Sequence, residues 1–281
     1  MIPQANITAW RSEAPWSEDA QVEQDLVLSR AIVELFGKSE LTGQLALRGG
    51  AALNKIFIHP ASRYSEDIDL VQTRAGPIGP LLDAIREKLD SWLGKPSRAR
   101  AEGGVSLVYR FESEIAPVRP LRLKIEINTR EHFTVLGLQH RQVLTSNPWF
   151  NGDADVTTFE LDELLATKMR ALYQRRKGRD LFDLWLCIGQ GKAAPDRIVA
   201  CFLEYMKHEG HSVSRAEFER NLHEKKTDPA FLNDITPLLG TSVQYDAVDA
   251  MELVRRTLIE KLPGASWRGT SAPPKRKKKT S

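Results

Sequence analysis

The feature that most constrains this chain is a change of apolar period partway along it. Residues 20–36 (AQVEQDLVLSRAIVELF) place Val22, Leu26, Val33 and Phe36 at helical spacing, with Gly37 where a helix should stop. Segments 104–111 (GVSLVYRF) and 121–128 (LRLKIEIN) instead alternate with period two, the signature of strands with one buried face. In the second, Leu121, Leu123, Ile125 and Ile127 point one way, so Lys124 and Glu126 share the polar face. A strand over 45–48 runs into Gly49-Gly50 and a short helix, a strand over 65–72 follows, and 78–93 is amphipathic, with Leu81, Leu82, Ile85, Leu89 and Trp92 on its apolar side. After 156–159 the pattern is helical to Leu262, with helices near 160–175, 180–190, 196–208, 214–222 and 245–262. The expected architecture is α/β (α+β): a sheet with flanking helices over 20–155, then a helical half over 156–262, framed by a flexible N-terminus (1–19) and a disordered basic tail (263–281).

Composition narrows the classes. Of the 281 residues 41% are hydrophobic and 27% charged, ordinary for a globular protein, and no apolar run approaches the roughly 20 residues that span a bilayer. The N-terminus has no basic segment followed by an apolar run, so the expectation is a cytoplasmic protein without membrane contact. Cys187 and Cys201 show no CxxC pattern and read as reduced thiols. The last 18 residues hold six basic and no acidic side chains, so a net charge of +3 leaves the rest of the chain at −3. Contact with nucleic acid must then come from local patches or from the KRKKK tail.

Three constellations carry chemistry. In Ser-Glu-Asp-Ile-Asp-Leu, Asp67 and Asp69 stand two residues apart on a strand and present two carboxylates on one face, the hard oxygen pair that a magnesium ion bridging a triphosphate requires. Taken alone, the same pair fits two solvent-facing aspartates on an edge strand. Arg48-Gly49-Gly50 leads from a strand into a helix, which suits close approach of a phosphate and equally suits a plain tight turn. Between Lys168 and Arg179 there are six basic residues in twelve positions, closed by Asp180 and Asp183. A solvated helix face would look similar, but acids orienting cations for phosphate binding account better for the abrupt change of sign.

The elements LRGGAALNKIF, RYSEDIDL, KIEI and K-x6-R-x-K-x-x-D-x-x-D occur in this order over residues 25–190. Together they resemble the AbiEii/AbiGii toxin family, which includes the MenT-like toxins and belongs to the polymerase-β-type nucleotidyltransferase superfamily. The glycine pair and the long gap to Asp67 depart from the wider superfamily and agree with the AbiEii branch. The resemblance implies a polymerase-β-type nucleotidyltransferase sheet, a helical half that completes the site, an NTP substrate, and Mg2+ (or Mn2+) held by Asp67 and Asp69. It implies a catalytic set of Asp67, Asp69, Glu126, Lys168 and Asp180, with Glu126 acting on the attacking hydroxyl. Arg48, Gly49, Gly50, Ser65, Lys124, Arg175, Lys177 and Asp183 would bind the nucleotide or shape its site. The implied partners are an RNA acceptor, above all the 3′ acceptor end of tRNA, a cognate antitoxin, and a kinase acting on Ser65.

Two other readings remain open on the residues alone: the same chemistry on a protein or small-molecule hydroxyl, and a non-catalytic nucleotide-binding regulator. The regulator predicts a missing carboxylate, and none is missing. His208 and His211 form the only close histidine pair, but Gly210 weakens the helix between them, so surface histidines are expected. Trp149 and Phe150, in Asn-Pro-Trp-Phe, are candidates to line the cleft where a base stacks.

Overall fold

The computed structural model describes residues 2–37, 41–101 and 103–269. It contains seven strands in one sheet and ten α-helices among the described residues: α1 (Gln4–Ala9), α2 (Asp19–Phe36), β1 (Leu45–Arg48), α3 (Gly49–Ala52), β2 (Asp67–Gln72), α4 (Ile78–Leu93), β3 (Ser97–Ala101), β4 (Gly104–Glu112), β5 (Pro120–Asn128), β6 (Leu138–Asn147), β7 (Phe150–Phe159), α5 (Leu161–Gln174), α6 (Gly178–Gly189), α7 (Pro195–His208), α8 (Arg215–Lys225), α9 (Pro229–Asn233) and α10 (Ala247–Thr257). The sheet order is β3-β4-β5-β2-β1-β7-β6. The pairs β2–β5 and β1–β7 are parallel and the remaining pairs antiparallel. One face of the central strands (Ile68, Leu70, Leu123, Ile125, Ile127, Leu107, Tyr109) is buried, and α2 and α4 pack on the sheet. The opposite face carries the polar residues of the same strands. The start of β2, and β4 and β5, therefore have one face in the core and one free for chemistry.

The expected sheet followed by a helical half is present, with three differences. The first nineteen residues are not free: Ile2, Ile7, Trp10, Ala14 and Trp16 are buried, the Trp10 indole donates to Asp25 Oδ2 at 2.9 Å, and Trp16 meets Tyr64 edge to face. Two tryptophans bury enough apolar area to anchor a short segment that has no helical periodicity of its own. Second, β7 runs through the expected boundary at 155 and pairs with β1, Thr158 donating from Oγ1 to Leu47 O at 2.7 Å; the strand ends only at Phe159. Third, the sheet has two edge strands, β3 and β6, where the apolar pattern predicts none: SRARA is charged, and LQHRQVLTSN buries only Val143, Thr145 and Asn147. The beginning of the basic tail, through residue 269, is described, with Trp267 N donating to Glu219 Oε2; KRKKK lies outside the described residues. No helix among the described residues is long and apolar enough to cross a membrane.

Candidate active site

Strand register brings the two polar motifs together. Asp67 pairs with Lys124 and Asp69 with Glu126 across β2–β5, while Arg48 stands opposite Asp69 across β1–β2. Residues opposite one another in a sheet share a face, so Asp67, Asp69, Lys124, Glu126 and Arg48 form one polar floor. Gly49 and Gly50 border it. Gly49 has a φ of 73°, and a Cβ there would lie 2.0 Å from Asp69 Oδ2. A Cβ on Gly50 would lie 2.6 Å from Arg63 Nη2 and 2.8 Å from Ser65 Oγ. Gly49 is therefore a position that only glycine takes without strain, and Gly50 leaves room for Arg63 and Ser65 beside the floor.

The electrostatics of the floor are unrelieved. Burial, then the neighbouring Asp69 and Glu66, push the Asp67 carboxyl up to about 6. Burial likewise raises Asp69, against the pull of Arg48 and Lys168. Asp67 Oδ1 is buried and has no hydrogen-bond partner. An orphaned carboxylate oxygen next to a second carboxylate is the donor set of a site that takes a hard cation, and magnesium is commonly held by one or two carboxylates with phosphate oxygens and water completing its shell. Asp67 and Asp69 fit that ion as a pair. Among the described residues no group of three or more His, Cys, Asp or Glu side chains is arranged to hold a metal. Glu126 is not drawn into a third position because Lys124 Nζ holds its Oε2, and that contact raises the Lys124 amine.

The opposite wall comes from α5, the turn after it and α6. Lys168 is nearly buried, with Nζ 2.8 Å from Asp183 Oδ2 and 3.4 Å from Asp180 Oδ1. Arg175 grips Asp180 in two places, at 2.7 and 3.0 Å. Arg63 does the same to Asp183, at 2.6 and 2.8 Å. Burial works against the charge on Asp183, yet Arg63 and Lys168 outweigh it and hold the carboxyl at about 2. The result is an alternating chain, Arg63–Asp183–Lys168–Asp180–Arg175. Its cations border a polar cavity of about 210 Å³ shared with Ser65, Asp67, Asp69, Glu126 and Arg179. Arg48, Glu126 and Asp69 also border two further cavities, of about 180 and 250 Å³.

Several expected site residues sit differently from the reading of the sequence. Asp180 and Asp183 are fully buried and spent on cations, so they cannot reach a nucleotide and act by orienting Lys168, Arg175 and Arg63. Lys177 borders none of these cavities: it precedes α6 with its amine 3.3 Å from Asp234 Oδ1. Arg48 faces the floor, but its guanidinium is held by Glu131 at 2.6 Å. Trp149 belongs to the far side of the sheet, edge-on to Trp92 with the Arg30 guanidinium 4.6 Å from its ring, and so lines no part of the cleft. Arg63, the first residue of RYSEDIDL, is a site residue that the sequence pattern does not single out. Cys187 and Cys201 are buried, their thiols pushed up by burial to about 12 and about 11.

The carboxylate pair, the glycine turn and the cationic wall together make a candidate cleft for a nucleotide. The family model for the nucleotidyl transferase AbiEii toxin, type IV toxin–antitoxin system, matches residues 30–252, and the chain belongs to this family of nucleotidyltransferase toxins. Among solved structures it is similar to MenT4, a nucleotidyltransferase toxin from Mycobacterium tuberculosis H37Rv, with a TM-score of 0.57 at 12% identity over 94% of this chain and 91% of that one. A second match is an antigenic nucleotidyltransferase-like protein from Paracoccidioides brasiliensis, with a TM-score of 0.37 at 16% identity over 81% and 97% of the chains. A comparison with curated protein sequences gives no match.

Proposed function

We propose that the protein acts in the cytoplasm, transferring a nucleotidyl group from a nucleoside triphosphate to the 3′ acceptor end of tRNA in a metal-dependent reaction that blocks translation. The observation that carries the metal dependence is Asp67 Oδ1, buried without a partner beside Asp69. Asp67 and Asp69 would hold Mg2+ or Mn2+, which when bound neutralises charge on the triphosphate and the departing pyrophosphate. Lys168, Arg175 and Arg63, oriented by Asp180 and Asp183, face the triphosphate from the other wall, and the backbone at Gly49 and Gly50 gives it room. The RNA hydroxyl attacks the α-phosphorus. The bond to pyrophosphate breaks, and the hydroxyl proton passes to Glu126 Oε1, the oxygen that Lys124 leaves free. Ser65, on the border of the phosphate cavity, would bind a phosphate oxygen; modified by a partner kinase, it would bring a phosphate charge beside two carboxylates and shut the site.

Incubation of the purified protein with total RNA and each radiolabelled triphosphate in turn tests this reading. Label in the tRNA band, abolished by EDTA, is expected. Label on the protein itself, or on a small molecule only, overturns the RNA acceptor, and transfer that survives EDTA overturns the metal.

A further inference from the structure

The polar face of the sheet continues past the catalytic floor. Along β5 it runs Glu126, Lys124, Arg122, and along the neighbouring β4 it runs Ser106, Val108, Arg110. Arg110 and Arg122 are directly opposite in the β4–β5 register, and both are exposed. Like charges directly opposite on neighbouring strands weaken a sheet unless an anion lies between them. None of this chain does so: among the described residues no carboxylate lies within ion-pair distance of either guanidinium. Arg110 Nη1 donates to the neutral Ser97 Oγ at 2.6 Å, and the positive charge of Arg122 acts on the Asp67 carboxyl and the Tyr64 hydroxyl. Most other arginines around the cleft are held by a carboxylate of this chain, Arg63 by Asp183, Arg175 by Asp180, Arg48 by Glu131 and Arg170 by Glu131 and Glu209. Arg110 and Arg122, without such a carboxylate, lie one strand repeat, about 7 Å, beyond Lys124, on the side away from Glu126.

We propose that Arg110 and Arg122 form a subsite for the phosphodiester backbone of the acceptor RNA, leading its 3′ end along β5 to Glu126 and Asp69. The inference rests on the RNA acceptor proposed above. It divides the cleft by partner: the triphosphate is held by the helical wall, and the RNA backbone by the outer strands. The test is the affinity of a tRNA for wild type, Arg110→Gln/Arg122→Gln and Arg110→Lys/Arg122→Lys, measured against salt, with KM determined separately for tRNA and for the triphosphate. Each lost contact to a single-stranded phosphate removes about 0.7 from the slope of log affinity against log salt, so the Gln double variant should lose roughly 1.4. The Lys variant should keep the wild-type slope. KM for tRNA should rise about tenfold in the Gln variant, with KM for the triphosphate unchanged. An unchanged salt slope, or a rise confined to the triphosphate KM, overturns the subsite. Wild-type protein that labels only protein, and no RNA, overturns instead the acceptor on which it rests.

Discussion

On the helical side of the cleft, charges alternate in sign along Arg63, Asp183, Lys168, Asp180 and Arg175, buried as far as Asp180 and exposed at Arg175, while on the sheet side Asp67 and Asp69 stand together and one buried oxygen is left without a partner. The first wall is complete in the folded chain and holds its cations in fixed directions. The second is completed only by something cationic from outside. Preorganised charge on one wall and unmet charge on the other is what a site needs if its substrate is a polyanion that arrives with a metal.

Removing the unmet charge should have the largest effect. Asp69→Ala or Asp67→Ala is expected to lower transfer on the order of 10³-fold, since the charge stabilisation of the metal is lost, while relief of repulsion between the two half-buried carboxylates keeps Tm level or raises it. Single-turnover transfer and a melting curve check both halves, and a well-folded variant with a few per cent of wild-type activity would sink the assignment. The other wall should respond in the opposite sense. Asp183→Ala strands Arg63 and Lys168 in the interior and should cost about 3–5 kcal/mol of stability, a Tm fall on the order of 10 °C. Because the folded Asp183 carboxyl sits at about 2, below its usual 3.8, its contribution is present above about pH 4 and is lost as pH falls towards 2. Melting wild type and variant across that range should show the difference closing at the acid end; a constant difference would mean that packing, not the ion pairs, is responsible.

Lys168→Ala removes a cation from the complete wall without emptying the floor. A charge-assisted contact is worth about 1.5–3 kcal/mol, so KM for the triphosphate should rise roughly ten- to a hundredfold, with tRNA binding unaltered and Arg restoring it only in part. Unchanged triphosphate dependence would leave Lys168 as a structural link between Asp180 and Asp183. Ser65 tests the space between the walls. Ser65→Asp should lose on the order of tenfold in transfer by adding charge beside Asp67, and Ser65→Ala should keep a large part of it. Full activity in Ser65→Asp would show that the side chain does not meet the phosphates.

What could be read from the sequence follows the same division. The floor was legible because strand alternation is a rigid rule: two residues apart means one face, and β2 and β5 need only pair in register to bring Asp67, Asp69, Lys124 and Glu126 together. The helical wall was legible in composition but not in direction. The change of sign already points to Asp180 and Asp183 as acids that orient cations, whereas the direct roles implied by the resemblance are excluded by their complete burial. Arg63 could not be placed because it leaves a loop and crosses to a residue 120 positions away, a contact that no local period encodes. The N-terminal segment was misread for a related reason: its anchors are two single tryptophans, not a repeating stripe.

The basic run itself offers the smallest and most discriminating effect. Lys168 and Arg175 turn into the cleft, whereas Arg176 pairs with Glu224 and Asp228 and Lys177 with Asp234 on the exposed side. The turn between α5 and α6 thus splits one charged stretch into an inner and an outer set. Exposed pairs of this kind contribute about 0.2–1 kcal/mol, so Lys177→Ala should shift transfer and triphosphate KM by less than about threefold and move Tm only slightly. If the run were a single phosphate-binding surface, as its composition suggests, Lys177→Ala would instead raise the triphosphate KM as much as Lys168→Ala. Measuring the two variants side by side, at low and at high salt, separates the cases: an outer lysine answers only through screened long-range charge, so any effect should vanish as the salt rises, while the defect of Lys168→Ala persists because its partners are buried.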